Sequence, residues 1–413
     1  MTVGPRAGIP NTRWAILTGE YPPQAGGVSD YTRLVAEGLA AVGDEVALYA
    51  PPQVIGPDSA SLAVRVRRLP DWFGPRGLAW LDRELVRCRP DRVLIQYVPH
   101  AFGLKAMNLP FAAWVAARAK RVAPVWVMFH EVAFPFVRRP LRHNVLAIVN
   151  RVMARAIAGA ADRVLVSIPN WGQLLSQVCP QARPAEWLPV PCNVATAANP
   201  GAVAAARSRH APEPLAPLVG HFGTFGRMIT DLLEPAIVGL LRTDPLARVL
   251  LIGRGSERYR ILIGTSHPDL AGRVAGTGEL PSVEVAAHLR ACDLLLQPYP
   301  DGVSSRRTSV MAGLANQVPV VTNLGALSEP LWAMSKGVAV VPGPDPAALT
   351  AATVDVLALS PESRLALGAR GAELYFSEFT LERIIARLRD PGPRPARTRP
   401  ATFPKIATVF RKR

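Results

Sequence analysis

Residues 298–323, PYPDGVSSRRTSVMAGLANQVPVVTN, hold three structural signals in a row. Asp301-Gly302 is a turn signal. An Ala/Leu-rich helical pattern follows, and the apolar run at 318–321 is of strand type. Between turn and helix stand Ser304, Ser305, Arg306, Arg307, Thr308 and Ser309. Ser304 or Ser305 is placed to cap the helix, which sets both arginines at its positive end. Cations there oppose the helix dipole unless solvent or an anion offsets them. An anionic ligand is the economical reading, with two solvated arginines as the alternative.

The strand–helix alternation of this segment extends along the whole chain. RWAILTG reads as a strand, VSDYTRLVAEGLAAVG as an amphipathic helix ending at Gly43, and EVALYAP as a strand again. DRVLIQYVP, PVWVMFHE and DRVLVSI continue the series, which predicts βαβ units and a parallel sheet covered on both faces. Residues 193–217, rich in Ala and Pro, read as a linker. A second alternating set runs through LVGHFGTFG, ARVLLIGRG, GRVAGTGELP, DLLLQPYP, VPVVTN and GVAVVPG. The expected fold is α/β, with two Rossmann-like doubly wound domains facing each other across a cleft. The expected domains are 1–195, a linker at 196–216, a second domain at 217–378, and a terminal helix with a basic Pro-rich tail at 379–413.

A chain of 413 residues can bury two full cores, and 49% hydrophobic with 19% charged residues is a globular composition. No secretory signal is visible at the N-terminus, and the longest apolar helical stretch is broken by Asn150, Arg151 and Arg155, a poor membrane span. A cytoplasmic location is expected. The four cysteines are far apart with no CxxC spacing, as for scattered reduced thiols, and no metal site is expected. The formal charge of +16 favours anionic partners: nucleic acid, phosphorylated small molecules or acidic lipid.

The strand ends carry the candidate site residues. After the first strand, Pro22-Pro23 delays a helix and Gly26-Gly27 leads into one, with Asp30 near its start. That diglycine lets a ligand approach free helix N–H groups, whereas an ordinary strand-to-helix turn is the plainer reading. His130-Glu131 closes an apolar strand where the sheet edge faces the crevice, so His130 is a catalytic or orienting candidate and Glu131 its neighbour. Gly223 and Arg227 follow the first strand of the second domain, and Arg254 lies between two glycines after the next. Small residues plus a permanent cation suit a diphosphate. No Walker lysine and no GxGxxG after the first strand is present, which speaks against a P-loop enzyme or dehydrogenase.

Together these motifs resemble bacterial glycosyltransferases of the GT-B fold, of the retaining family 4 type, over nearly the whole chain. PPQAGGVSDYTRLVAEGLAAVGDEVALYAP, VAGTGELPSVEVAAHLRACDLLLQPYPDG and MAGLANQVPVVTN carry the likeness. The resemblance implies a hexosyltransferase-type enzyme moving a sugar from a nucleotide-diphosphate sugar, with retention, to a glycan, lipid-linked or small-molecule acceptor. It implies a donor held by the second domain, phosphates at Gly26, Gly27 and Arg227, and His130 against the donor sugar; with the neighbouring carboxylates read from the strand and helix ends, the catalytic candidates are His130, Glu131 and Asp30. Donor and phosphate contacts would extend to Gly223, Arg254, Asp301, Gly302 and the 304–309 segment. No metal or cofactor is expected, because arginines and helix dipoles stabilise the leaving diphosphate.

One departure stands out. The family's paired glutamates, with seven residues between them, fall on Ser304 and Ala312 when aligned on Val318-Pro319-Val320. A variant donor site is expected, built from the hydroxyl and arginine set. A sugar-nucleotide epimerase, an inactive GT-B scaffold and a non-catalytic anion or nucleic-acid binder are the alternatives. Nucleic acid is not expected as a partner, because the basic residues read as scattered through helices and tail. AFGLKAMNLPFAAWVAARAKR and FPFVRRPLRHNVLAIVNRVMARAIAG mix apolar and basic side chains as an interfacial helix would. Peripheral binding to an acidic inner-membrane surface in polysaccharide biosynthesis follows as an expectation, with core helices bearing basic outer faces as the alternative.

Overall fold

The computed structural model describes residues 11–24, 26–53, 63–196 and 198–390. The basic tail after Pro391 lies outside them. The first sheet comprises β1 Arg13–Thr18, β2 Glu45–Ala50, β3 Val64–Arg68, β4 Arg92–Tyr97, β5 Val125–Phe129, β6 Arg163–Val166 and β7 Ala185–Trp187. The second comprises β8 Leu218–Phe222, β9 Arg248–Ile252, β10 Val274–Gly276, β11 Leu294–Gln297, β12 Val320–Asn323 and β13 Ala339–Val341. All pairings are parallel, in the orders β3-β2-β1-β4-β5-β6-β7 and β10-β9-β8-β11-β12-β13.

Parallel strands joined by helices need apolar side chains on both faces, and the strands supply them alternately. Leu17, Ile95, Val127 and Phe129 enter the core on one side of the first sheet. Ile16, Leu94, Trp126 and Met128 enter the core on the other. The second sheet divides likewise, with Leu250, Leu295 and Val320 on one face and Val249, Leu296 and Val321 on the other. Each fully buried aliphatic contributes about 1.5–3 kcal/mol.

The order of each sheet reverses once, between β1 and β4 and between β8 and β11. Loops leaving the carboxyl ends of strands on either side of such a reversal diverge and open a crevice. The two crevices face each other.

Two features of the domain boundaries add to the sequence expectation. The span read as a linker contains a helix, Pro200–His210, started by Asn199, whose side chain accepts from Gly201 N. Arg207 ties this helix to the second domain through Asp293 at 2.6 Å and the Ala216 carbonyl at 2.8 Å. The terminal helix Leu381–Arg389 returns to the first domain, burying Ile384, Ile385 and Leu388 beside Tyr31, Val35 and Leu39 of the helix Gly27–Ala41. Arg92 and Arg163 donate to the final carbonyls of that returning helix. No helix among the described residues is long and apolar enough to cross a membrane.

Candidate functional site

The facing strand ends enclose a cleft of about 610 Å³. From the first domain, Gly26, Gly27 and Asp30 line it at the start of the helix Gly27–Ala41. A side chain at Gly26 would come within 2.6 Å of the Glu20 carboxylate, which lies beneath the loop and accepts from His100. At Gly27 an added Cβ meets nothing within 4 Å. Gly27 is therefore not required by packing.

From the second domain, Gly223 and Arg254 line the cleft together with Arg306, Arg307, Thr308 and Ser309. The loops after β8 and β9 cross closely, since a side chain at Gly253 would lie 2.8 Å from the Gly223 carbonyl. Gly253 also has φ +114°, a conformation that disfavours any other residue.

The 298–309 loop is fixed from behind. Asn323 accepts from Tyr299 N at 2.8 Å and donates to Tyr299 O at 2.7 Å. Gly302 has φ +84°, and its missing side chain makes room for Gly325. The helix Thr308–Ala315 begins after Arg307 with no side-chain cap, so neither Ser304 nor Ser305 has the capping role expected of it. Helical geometry begins three or more residues beyond them. Ser305 instead donates from its backbone N–H and its hydroxyl to Glu329, a 3% exposed carboxylate that also accepts from Trp332 Nε1 at 2.7 Å. Ser304 is buried, and its hydroxyl has no partner among the described residues.

The arginines do have an offsetting anion, and it belongs to the chain itself. Asp301 accepts from Arg306 Nη2 at 2.5 Å and from Arg307 Nη2. Arg306 reaches across the cleft to Glu131 at 3.2 Å. Yet Arg306 Nε and Arg307 Nε are buried with no partner among the described residues. Arg254 pairs bidentately with Glu279 at 3.1 and 3.0 Å. Arg227 stands in solvent beside Asp231, its side chain 91% exposed, and does not line the cleft.

The expected crevice histidine lies deeper than its strand-end position suggests. His130 is 7% exposed, with Nε2 2.9 Å from Gln96 Oε1 and its ring edge-on to Tyr31 at 4.7 Å. Burial pushes it down to about 3, so it is neutral. It supports the cleft wall rather than lining it. Asp30 does line the cleft, and it accepts from Asn193 Nδ2 at 3.0 Å. Ser305 Oγ also lies 2.8 Å from the Ser167 carbonyl across the domains, so its single proton is shared between that oxygen and Glu329.

The sequence reading passed over Asn193, His221, Tyr299 and Glu329. The strand-end rule that flagged His130 applies equally to His221 in VGHFG. Glu329 gave no local signal, because its partner Ser305 is 24 residues away.

Residues 26–193 match the family model described as "Glycosyl transferase 4-like domain". Sucrose-phosphate synthase from Thermosynechococcus elongatus superposes with TM-score 0.68 at 20% identity, over 92% of this chain and 97% of that one. WaaG, a glycosyltransferase involved in lipopolysaccharide biosynthesis, gives 0.66 at 18% identity, over 91% and 98%. Anabaena HepE in complex with UDP and glucose gives 0.65 at 15% identity, over 92% and 98%. No curated protein matches the chain in sequence. The chain has the GT-B fold of these glycosyltransferases.

Gly27 separates folding from ligand approach. Gly27→Ala is expected to leave unfolding free energy within about 0.5 kcal/mol of the parent. The same change is expected to weaken nucleoside diphosphate binding about tenfold, by filling the space above the helix start. Chemical denaturation and calorimetric titration measure the two; unchanged affinity would contradict a ligand at this helix terminus.

Proposed function

We propose that the chain transfers a hexosyl group, with retention, from a nucleotide-diphosphate sugar bound in this cleft. The observation that carries the reading is the pair of buried guanidinium N–H groups with no partner among the described residues, Arg306 Nε and Arg307 Nε, on two arginines that line the cleft with the glycines of a helix start. A diphosphate supplies several acceptor oxygens to such donors and takes over the place that Asp301 holds on the two arginines. Support comes from HepE, whose solved complexes contain UDP with glucose and UDP-glucose.

In the transfer, the bond between the anomeric carbon and the diphosphate oxygen breaks, and its electron pair leaves with the diphosphate. Arg306, Arg307 and the helix start stabilise that charge. Asp30, the first-domain carboxylate lining the cleft, is held by Asn193. That engagement favours attack from the leaving-group face, with the departing oxygen taking the acceptor's proton. Retention follows.

The acceptor is proposed to be lipid-linked. Residues 101–160 hold nine Lys or Arg against the single acid Glu131, and with residues 391–413 they account for +15 of the net +16. The excess positive charge therefore falls in two segments, while the other 31 of the 47 Lys and Arg are scattered among acids. On the helix Arg142–Ala160, Val145, Ile148 and Val152 are exposed by half or more, and Leu141 just before it by 70%. Their spacing of four, three and four puts them on one face. Leu104 and Met107 are exposed as well. Exposed Arg138, Arg139 and Arg142 border the face. An apolar stripe rimmed by arginine suits an acidic bilayer surface.

Two measurements check these readings. A thermal-shift panel of UDP, GDP, ADP, TDP and their sugars should identify one nucleotide that stabilises the protein by about 2–3 kcal/mol at a hundredfold excess over Kd. Arg307→Ala should lower that affinity by about tenfold or more; no stabilisation by any nucleotide removes the donor site. In liposome flotation the protein should float with acidic vesicles and not with neutral ones, and Val145→Glu with Ile148→Glu should abolish flotation. Equal flotation on both vesicle types would contradict the membrane reading.

A further inference from the structure

Four residues lining this cleft each carry a buried polar atom with no partner among the described residues: Arg306 Nε, Arg307 Nε, Asn193 Oδ1 and His221 Nε2. The arginine atoms are donors on permanent cations. The other two are acceptors, because of what stands behind them. His221 Nδ1 lies 2.8 Å from the Leu296 carbonyl, which can only accept, so Nδ1 carries the proton and Nε2 carries a lone pair. Asn193 Nδ2 donates to the Asp30 carboxylate at 3.0 Å, which fixes the amide with Oδ1 free.

His221 is 2% exposed, and its ring is held edge-on by Phe225 at 5.5 Å. Burial lowers it to about 4, with only the Leu296 bond acting the other way and no carboxylate favouring the charged form. The nearby ring hydroxyl of Tyr299 is committed to Ser309 at 2.7 Å, and the arginines sharing the cavity are cations. A Cβ built on Gly223 would lie 3.9 Å from His221 Nε2 and 3.8 Å from Ser309 Oγ, so a ligand group passing that glycine reaches both. A phosphate oxygen has only lone pairs to offer and is repelled by Nε2. A hydroxyl is attracted.

Building on the nucleotide-sugar reading, we propose that His221 Nε2 and Asn193 Oδ1 read hydroxyl groups of the donor, doing here what acidic side chains at positions 304 and 312 would otherwise do. The cleft is then divided by chemistry. Its arginine and diglycine part takes the diphosphate, and its histidine and asparagine part takes the ribose or sugar hydroxyls.

Calorimetric titration tests this with the nucleoside diphosphate that stabilises the parent protein, its nucleotide sugar, and inorganic pyrophosphate. His221→Phe keeps a ring and removes the acceptor. It should weaken the nucleoside diphosphate or its sugar about tenfold and leave pyrophosphate unchanged. A loss on the nucleotide sugar alone assigns the contact to the transferred sugar, and a loss on both assigns it to ribose. On the parent protein, titrations at pH 6–8 in buffers of different ionisation enthalpy should register no proton uptake. Proton uptake, or equal weakening of pyrophosphate, overturns the proposal by making His221 a cation for phosphate. Unchanged affinity for all three ligands overturns it while leaving the donor site intact, whereas a parent protein that binds no nucleotide overturns both. Should His221→Phe fail to fold, proton uptake on the parent decides.

Discussion

Asp301 bridges two arginines, and the organisation of the cleft depends on that bridge. It holds Arg306 and Arg307 together despite their like charge, and Arg307 rests over the Tyr299 ring at 4.4 Å. One carboxylate between two guanidinium groups leaves charge to spare. Glu131 takes up the remainder from the opposite domain. The cleft arginines are thus neutralised from within, and an anionic ligand must replace a carboxylate to reach them. That exchange is favourable when the ligand reaches donors that the carboxylates leave free, which the two Nε atoms provide.

The same contacts join the domains. Arg306 to Glu131, Asn193 to Asp30, and Ser305 to Ser167 each span from one sheet's loops to the other's. Two of them involve residues that line the ligand cavity. A ligand that displaces Asp301 from Arg306 therefore also acts on an interdomain bond. On the proposed function, donor binding would be coupled to domain geometry through this one side chain.

Much of the architecture was legible because parallel sheets impose apolar strands and regular crossovers on the sequence. VPVVTN became β12, VWVMF became β5, and the diglycine stands at a helix start. Side-chain roles were less legible. His130 and His221 both end strands, yet one turns into the wall against Tyr31 and the other meets the cavity. That choice is made by packing across the sheet, which local sequence does not encode. Ser305 looked like a helix cap because local spacing allowed it, but a buried glutamate 24 residues later claims it. Arg227 follows a glycine loop as a phosphate ligand would, and its side chain points into solvent.

The most direct test of the account is the affinity of Asp301→Asn for the nucleoside diphosphate that the parent protein binds. The substitution keeps the shape of the bridge and removes the competing charge. The account predicts tighter binding, by a factor on the order of ten, with a steeper dependence on salt. Weaker binding would mean that Asp301 is part of the ligand's own site, and the idea of an internal anion awaiting exchange would be wrong.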